Sequence, residues 1–132
     1  AGLPEVRGGL GLLGFCLGGT IAYFLAARVR ATAAVSFYGS GVPGTLDLLD
    51  RIDSPLQFHF GGSDPYIPRD QVARVETAAA SRGNVEIQVE EEAGHAFHNR
   101  KAPMFYNEEP AGRAWHRTEQ FLARHLPAGS AA

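Results

Sequence analysis

Short apolar runs alternate with amphipathic stretches along this chain. Gly11 to Phe15 (Gly-Leu-Leu-Gly-Phe) is continuous and apolar, the pattern of a strand covered on both faces. Gly18 to Arg30 places Ile21, Phe24, Leu25 and Val29 on one helical stripe, which predicts an amphipathic helix with that stripe inward. Ala31 to Tyr38 predicts a second buried strand, ended by Gly39. Thr45 to Ile52 predicts a short helix or turn. Pro55 to Phe60 predicts a third strand, stopped by Gly61-Gly62. Arg69 to Arg82 predicts a second full helix, with Val72, Val75 and Ala79 at helical spacing and Gly83 as its stop. Val85, Ile87 and Val89 then alternate with Glu86, Gln88 and Glu90, so a fourth strand is expected to be half exposed. A loop runs to about Pro110. Ala111 to Leu126 predicts a terminal helix with Trp115, Thr118, Phe121 and Leu122 inward.

Strands alternating with helices predict an α/β fold with a mainly parallel sheet and right-handed crossovers. The whole chain, 1–132, reads as one domain, with 127–132 a flexible small-residue tail. The first strand has no polar face and reads as the centre of a sheet, yet no earlier strand is there to flank it. A bare apolar strand of that kind invites pairing with another chain.

Composition narrows the function. Of 132 residues 45% are hydrophobic and 20% charged, a globular balance that excludes wholesale disorder. The net charge of −2 offers no basic surplus for nucleic acid or anionic membranes. No apolar run approaches the ~20 residues of a membrane span, and no signal-peptide pattern opens the chain, so a cytoplasmic protein is expected. The single cysteine, Cys16, cannot form an internal disulfide. Gly 16 and Pro 8 are many for this length, and they point to tight turns.

Those turns hold the candidate chemistry. Sites in open parallel sheets form beyond the carboxyl ends of the strands. Cys16 follows the first strand, Asp64 the third and His95 the fourth. Gly14-Phe15-Cys16-Leu17-Gly18 is a Gly-x-nucleophile-x-Gly elbow with Cys in place of Ser. The helix that follows would aim its first N–H groups at the sulfur and favour thiolate. The Leu17 N–H would be one oxyanion donor. Taken singly, each residue has a plainer reading. Cys16 could be a small buried hydrophobe, Asp64 an Asx-turn or helix cap, and His95 a surface loop residue. Asp70 is a poorer acid candidate, being inside a helix. A metal pair of His95 and His98 lacks a completing Cys or carboxylate. His59 reads as a core or rim residue, and His116 and His125 as solvated. Together, nucleophile, acid and histidine stand in the chain order of α/β-hydrolases.

At these residues the sequence resembles the dienelactone hydrolase family of that fold. The resemblance rests on Gly14-Phe15-Cys16-Leu17-Gly18-Gly19, Tyr38-Gly39, Gly62-Ser63-Asp64-Pro65-Tyr66-Ile67-Pro68, Ala93-Gly94-His95-Ala96-Phe97, and Phe105-Tyr106-Asn107 through Trp115. It implies a Cys16-His95-Asp64 triad, no metal and no cofactor, and hydrolysis of a lactone or carboxylic ester through a thioester. Tyr38, Phe97 and Arg100 are then the expected substrate contacts. It also implies that about half of the family fold precedes the elbow. The chain is therefore expected to be the C-terminal half of a larger domain, one that pairs with the other half through its first strand or forms a homo-oligomer. Two alternatives stand beside this. One is a catalytically incomplete unit that acts only by association. The other is a thioesterase or amidase on the same triad.

Overall fold

A computed structural model describes residues 9–126, so the predicted tail at 127–132 lies outside the described residues. The elements in chain order are β1 (Gly11–Phe15), α1 (Leu17–Ala26), β2 (Ala33–Phe37), a 3₁₀ segment (Pro43–Arg51), β3 (Leu56–Gly61), α2 (Arg69–Ala80), β4 (Val85–Glu90) and α3 (Glu108–His125). The four strands pair in parallel in the order β1-β2-β3-β4. Each crossover moves one strand along the sheet, so α1, the 3₁₀ segment and α2 share one face. The opposite face carries α3. Alternation along β3 shows the division. Phe58 packs its ring on Tyr23 of α1, at 5.6 Å between centroids. Its neighbour His59 meets Thr118 of α3.

The central strands β2 and β3 are buried at every position, whereas β1 and β4 are only partly covered. In the described sheet β1 is an edge, with Leu13 exposed.

The predicted inward stripe of the first helix is reversed. Ile21, Phe24, Leu25 and Val29 are exposed, and α1 instead buries Gly19, Thr20, Ala22, Tyr23 and Ala26. The cause is close approach. A Cβ on Gly19 would lie 2.4 Å from the Phe37 carbonyl oxygen, so mostly small side chains fit between helix and sheet. The helix also ends at Ala26 rather than Arg30. Ten helical residues rise ~15 Å, which matches the ~16 Å of a five-residue strand that the chain must retrace.

The terminal helix begins three residues earlier than predicted. Pro110 falls in its first turn, where a missing N–H costs nothing, and Glu108 and Glu109 complement the dipole. Its buried face is Pro110, Ala114, Thr118 and Phe121. Trp115, predicted inward, is 45% exposed. Val72, Val75 and Ala79 of α2 are buried as their spacing predicts. His125 is not fully solvated, since its ring packs edge-on against Phe121.

Candidate active site

The register aligns Phe15 of β1, Phe37 of β2 and His59 of β3 in one row, so the strands end along a common rim. Cys16 is the first residue past β1. Its backbone is forced to φ 57°, ψ −122°, a region that costs a side-chain-bearing residue on the order of 1–3 kcal/mol. Its N–H is held by the Phe37 carbonyl at 3.0 Å. The flanking glycines make this turn possible. A Cβ on Gly14 would sit 1.9 Å from the Gly18 carbonyl oxygen, and one on Gly19 would strike Phe37. Ser36 Oγ donates to the Gly19 carbonyl at 2.8 Å, which ties the helix start to β2. Gly18 has open space where its own Cβ would be. Its carbonyl is the group that excludes a side chain at position 14.

Leu17 opens α1 with its side chain 72% exposed. Its N–H belongs to the first turn, which has no intrahelical acceptor. The helix was expected to favour thiolate. Burial, and then the Asp64 carboxylate, instead push the Cys16 thiol above its ordinary value. Both disfavour added negative charge on the sulfur.

Asp64 lies in the loop 62–68, and its carboxylate is buried. Oδ1 accepts from the Tyr66 N–H at 2.8 Å, an Asx-turn. Oδ2 takes His95 Nδ1 at 2.7 Å. The turn role and the imidazole contact are thus filled by two oxygens of one carboxylate. Two glycines allow this meeting. A Cβ on Gly61 would lie 2.4 Å from the Ala93 carbonyl oxygen, and one on Gly62 2.7 Å from Glu91 Cα. The loop after β4 therefore lies directly on the acid loop. Gly62 N donates to Glu90 O at 2.8 Å, Ser63 N to Ala93 O at 3.0 Å, and Ser63 Oγ to Glu91 O at 2.7 Å. An acceptor carboxylate on Nδ1 places the ring proton there and leaves the Nε2 lone pair free.

The elements bring Asp64 and His95 into contact. Among the described residues no hydrogen bond joins His95 to the Cys16 sulfur, though the Asp64 charge acts on that thiol. Such bonds are often long before substrate is present.

Of the expected substrate contacts, Tyr38 lies past β2 with φ 37°, its ring 5.1 Å from that of His95. It is fully buried, and its hydroxyl has no partner among the described residues. Phe97 is fully buried against Tyr38 and Phe37, so its ring is packed in the core. Arg100 is exposed and lines a cavity of about 580 Å³ with Phe15, His98 and Trp115, whose lining does not include His95. His98 stacks on Phe15 at 4.1 Å, and burial holds its pKa down. No group of three metal-ligating side chains forms among the described residues.

A cavity that sequence reading missed adjoins His95. It measures about 290 Å³ and is lined by Tyr66, Met104, Phe105, Tyr106 and Asn107, with Glu92 and Gly94. The signal was an apolar cluster, Met104-Phe105-Tyr106, in a loop where exposed polar residues are the norm. A further cavity of about 410 Å³, around Arg28 and Asp53, lies at the opposite end of the strands.

The sequence model of the dienelactone hydrolase family matches residues 3–126. The chain is 32% identical over 120 residues to a carboxymethylenebutenolidase of Pseudomonas putida, covering 91% of this chain and 50% of that protein. It is 35% identical over 132 residues to the carboxymethylenebutenolidase of Rhodococcus opacus, covering 92% and 52%. A crystal structure of a candidate dienelactone hydrolase from Klebsiella pneumoniae superposes with a TM-score of 0.78 at 32% identity, over 87% of this chain and 52% of that one. The chain spans about half the length of the curated relatives it matches.

Proposed function

Because this chain belongs to the dienelactone hydrolase family, we propose that it contributes the nucleophile, base and acid of a lactone or carboxylic ester hydrolase. In this reading the Cys16 thiol gives its proton to His95 Nε2 as Sγ bonds to the carbonyl carbon. The Leu17 N–H steadies the oxyanion, together with a second donor outside this set of residues. The tetrahedral centre collapses, the carbon–oxygen bond breaks, and His95 returns the proton to the leaving oxygen. Water then attacks the thioester, giving one proton to His95. The carbon–sulfur bond breaks, and that proton restores the thiol. Asp64 keeps the ring oriented and offsets its transient positive charge. The net reaction is ester plus water to acid plus alcohol.

The observation that carries this is the 2.7 Å Asp64–His95 bond on the rim where the Cys16 elbow emerges. The names of the relatives point to an enol lactone as substrate. Turnover of an ester and of an enol lactone by the protein and by its Cys16→Ala variant tests it. Loss of at least a thousandfold is expected. Equal turnover would remove Cys16 as nucleophile. A thioester and an amide in the same assay separate this reading from an acyl-transfer alternative.

A further inference from the structure

We propose that Arg113 is a positioning residue for the Asp64–His95 pair, acting through the buried carboxylate of Glu90. Its effect on turnover rests on the ester-hydrolase reading above. The two loops that carry the pair branch from one peptide group. The Glu90 carbonyl accepts from Gly62 N at 2.8 Å and from Ala93 N at 3.0 Å. Gly62 stands two residues before Asp64, and Ala93 two residues before His95. Ser63 N closes the junction on Ala93 O at 3.0 Å. A shift of Glu90 is therefore passed to both partners of the 2.7 Å bond.

The side chain of Glu90 is fixed from α3. Alternation along β4 predicts a solvated Glu90, but it is only 4% exposed. The register sets Gln88 beside His59 and Glu90 beside Gly61, on the face that α3 covers. Arg113 Nε and Nη2 both donate to Glu90 Oε1, at 2.8 and 2.6 Å. Gln88 Nε2 donates to Glu90 Oε2 at 2.7 Å, so both carboxylate oxygens are used. Arg113 also bonds Glu92, in the turn that leads to His95. A carboxylate this buried needs its cation, because it has left water and would otherwise face no counter-charge.

Arg69 offers the contrast. It grips Glu91, between the other two glutamates, with Nε and Nη2 at 2.9 and 2.8 Å. That pair is exposed, at 39% and 63%, so water can replace it at little cost. Of these two arginines only Arg113 holds a buried carboxylate.

Arg113→Gln and Arg69→Gln test this, since each removes one cation from the same run of glutamates. The readouts are kcat for benzyl acetate and the downfield proton NMR signal of His95 Nδ1, assigned by its loss in His95→Gln. That signal reports the bond to Asp64 rather than overall stability. Arg113→Gln should weaken or abolish the signal in folded protein. It should also lower kcat at least about tenfold, toward the ~100-fold cost of a ~1 Å misplacement. Arg69→Gln should keep the signal and stay within about fivefold, the reach of an exposed pair. Glu90→Gln added to Arg113→Gln should restore most of both readouts, since no buried charge is then left unpaired. An intact signal in Arg113→Gln, or the same loss in both arginine variants, overturns the proposal. If Arg113→Gln alone does not fold, a folded double variant without the signal overturns it. If the signal behaves as expected while no form hydrolyses benzyl acetate, the ester-hydrolase reading falls and the hold of Arg113 on the pair stands.

Discussion

At Cys16 the strained turn and the local charges pull in opposite directions. The elbow exposes the sulfur at a helix start, which favours thiolate. Burial and the Asp64 carboxylate favour the thiol. Asp64 thus bonds His95 while holding back ionisation of the Cys16 thiol, and one substitution separates the two effects. Asp64→Asn should lower hydrolysis by about a hundredfold or more, because His95 loses its orienting acceptor. The same change should speed iodoacetamide alkylation of Cys16 near pH 8, because removing a negative charge lowers the thiol pKa. Alkylation of the unchanged protein should keep rising above pH 9. A slower alkylation in the variant would contradict the action of the Asp64 charge on the sulfur. The Gly-x-Cys-x-Gly pattern made the elbow legible in the sequence. The resting charge of the thiol was not legible, since it depends on burial and on a carboxylate 48 positions away.

Among the elements, α1 shows how far periodicity carries. A helix was expected where one stands, but its larger apolar stripe points outward. Which face of an apolar helix turns inward is decided here by clearance from β2, which a hydrophobicity pattern does not record. The glycines make this measurable. Gly14→Ala should cost about 2–3 kcal/mol, because its Cβ would meet rigid backbone. Gly18→Ala should stay within ~1 kcal/mol and on the stabilising side, as alanine prefers helix. Denaturant unfolding of both variants checks the pair, and equal losses would contradict the account. In β3, His59 is buried, stacked on Phe37 at 4.3 Å, and bonded to Gln57 Oε1 at 2.6 Å. Burial and then the Arg117 charge hold its pKa down to about 3, below the ordinary 6.5. The folded state therefore binds fewer protons than the unfolded state between those values. Stability should be complete above about pH 6.5 and fall by up to ~1.4 kcal/mol per pH unit as pH drops toward 3. His59→Phe should flatten that slope in urea unfolding at stepped pH. An unchanged slope would assign it to other groups.

On the scale of the molecule, the described sheet is covered on both faces along β2 and β3 but ends at β1. Leu13, Leu17, Ile21, Phe24, Leu25 and Val29 are all exposed along β1, α1 and the turn after it. The uniformly apolar first strand has the pattern of a central one. The structure adds the outward apolar face of α1, which the hydrophobic pattern alone predicts to be inward. An apolar surface of this kind predicts that the 132-residue chain self-associates in sedimentation velocity. Ile21→Lys with Leu25→Lys should reduce that association, and a dispersed monomer at all concentrations would contradict it. Family membership extends over nearly the whole chain, whereas the chain spans about half of its relatives. The central claim is that Cys16 carries the acyl group. Acid-quenched turnover of benzyl acetate followed by peptide mass spectrometry tests it most directly. The account predicts one acetyl group on the peptide containing Cys16, and none in Cys16→Ala. Steady hydrolysis with no acetyl group on Cys16, or undiminished hydrolysis by Cys16→Ala, would contradict it.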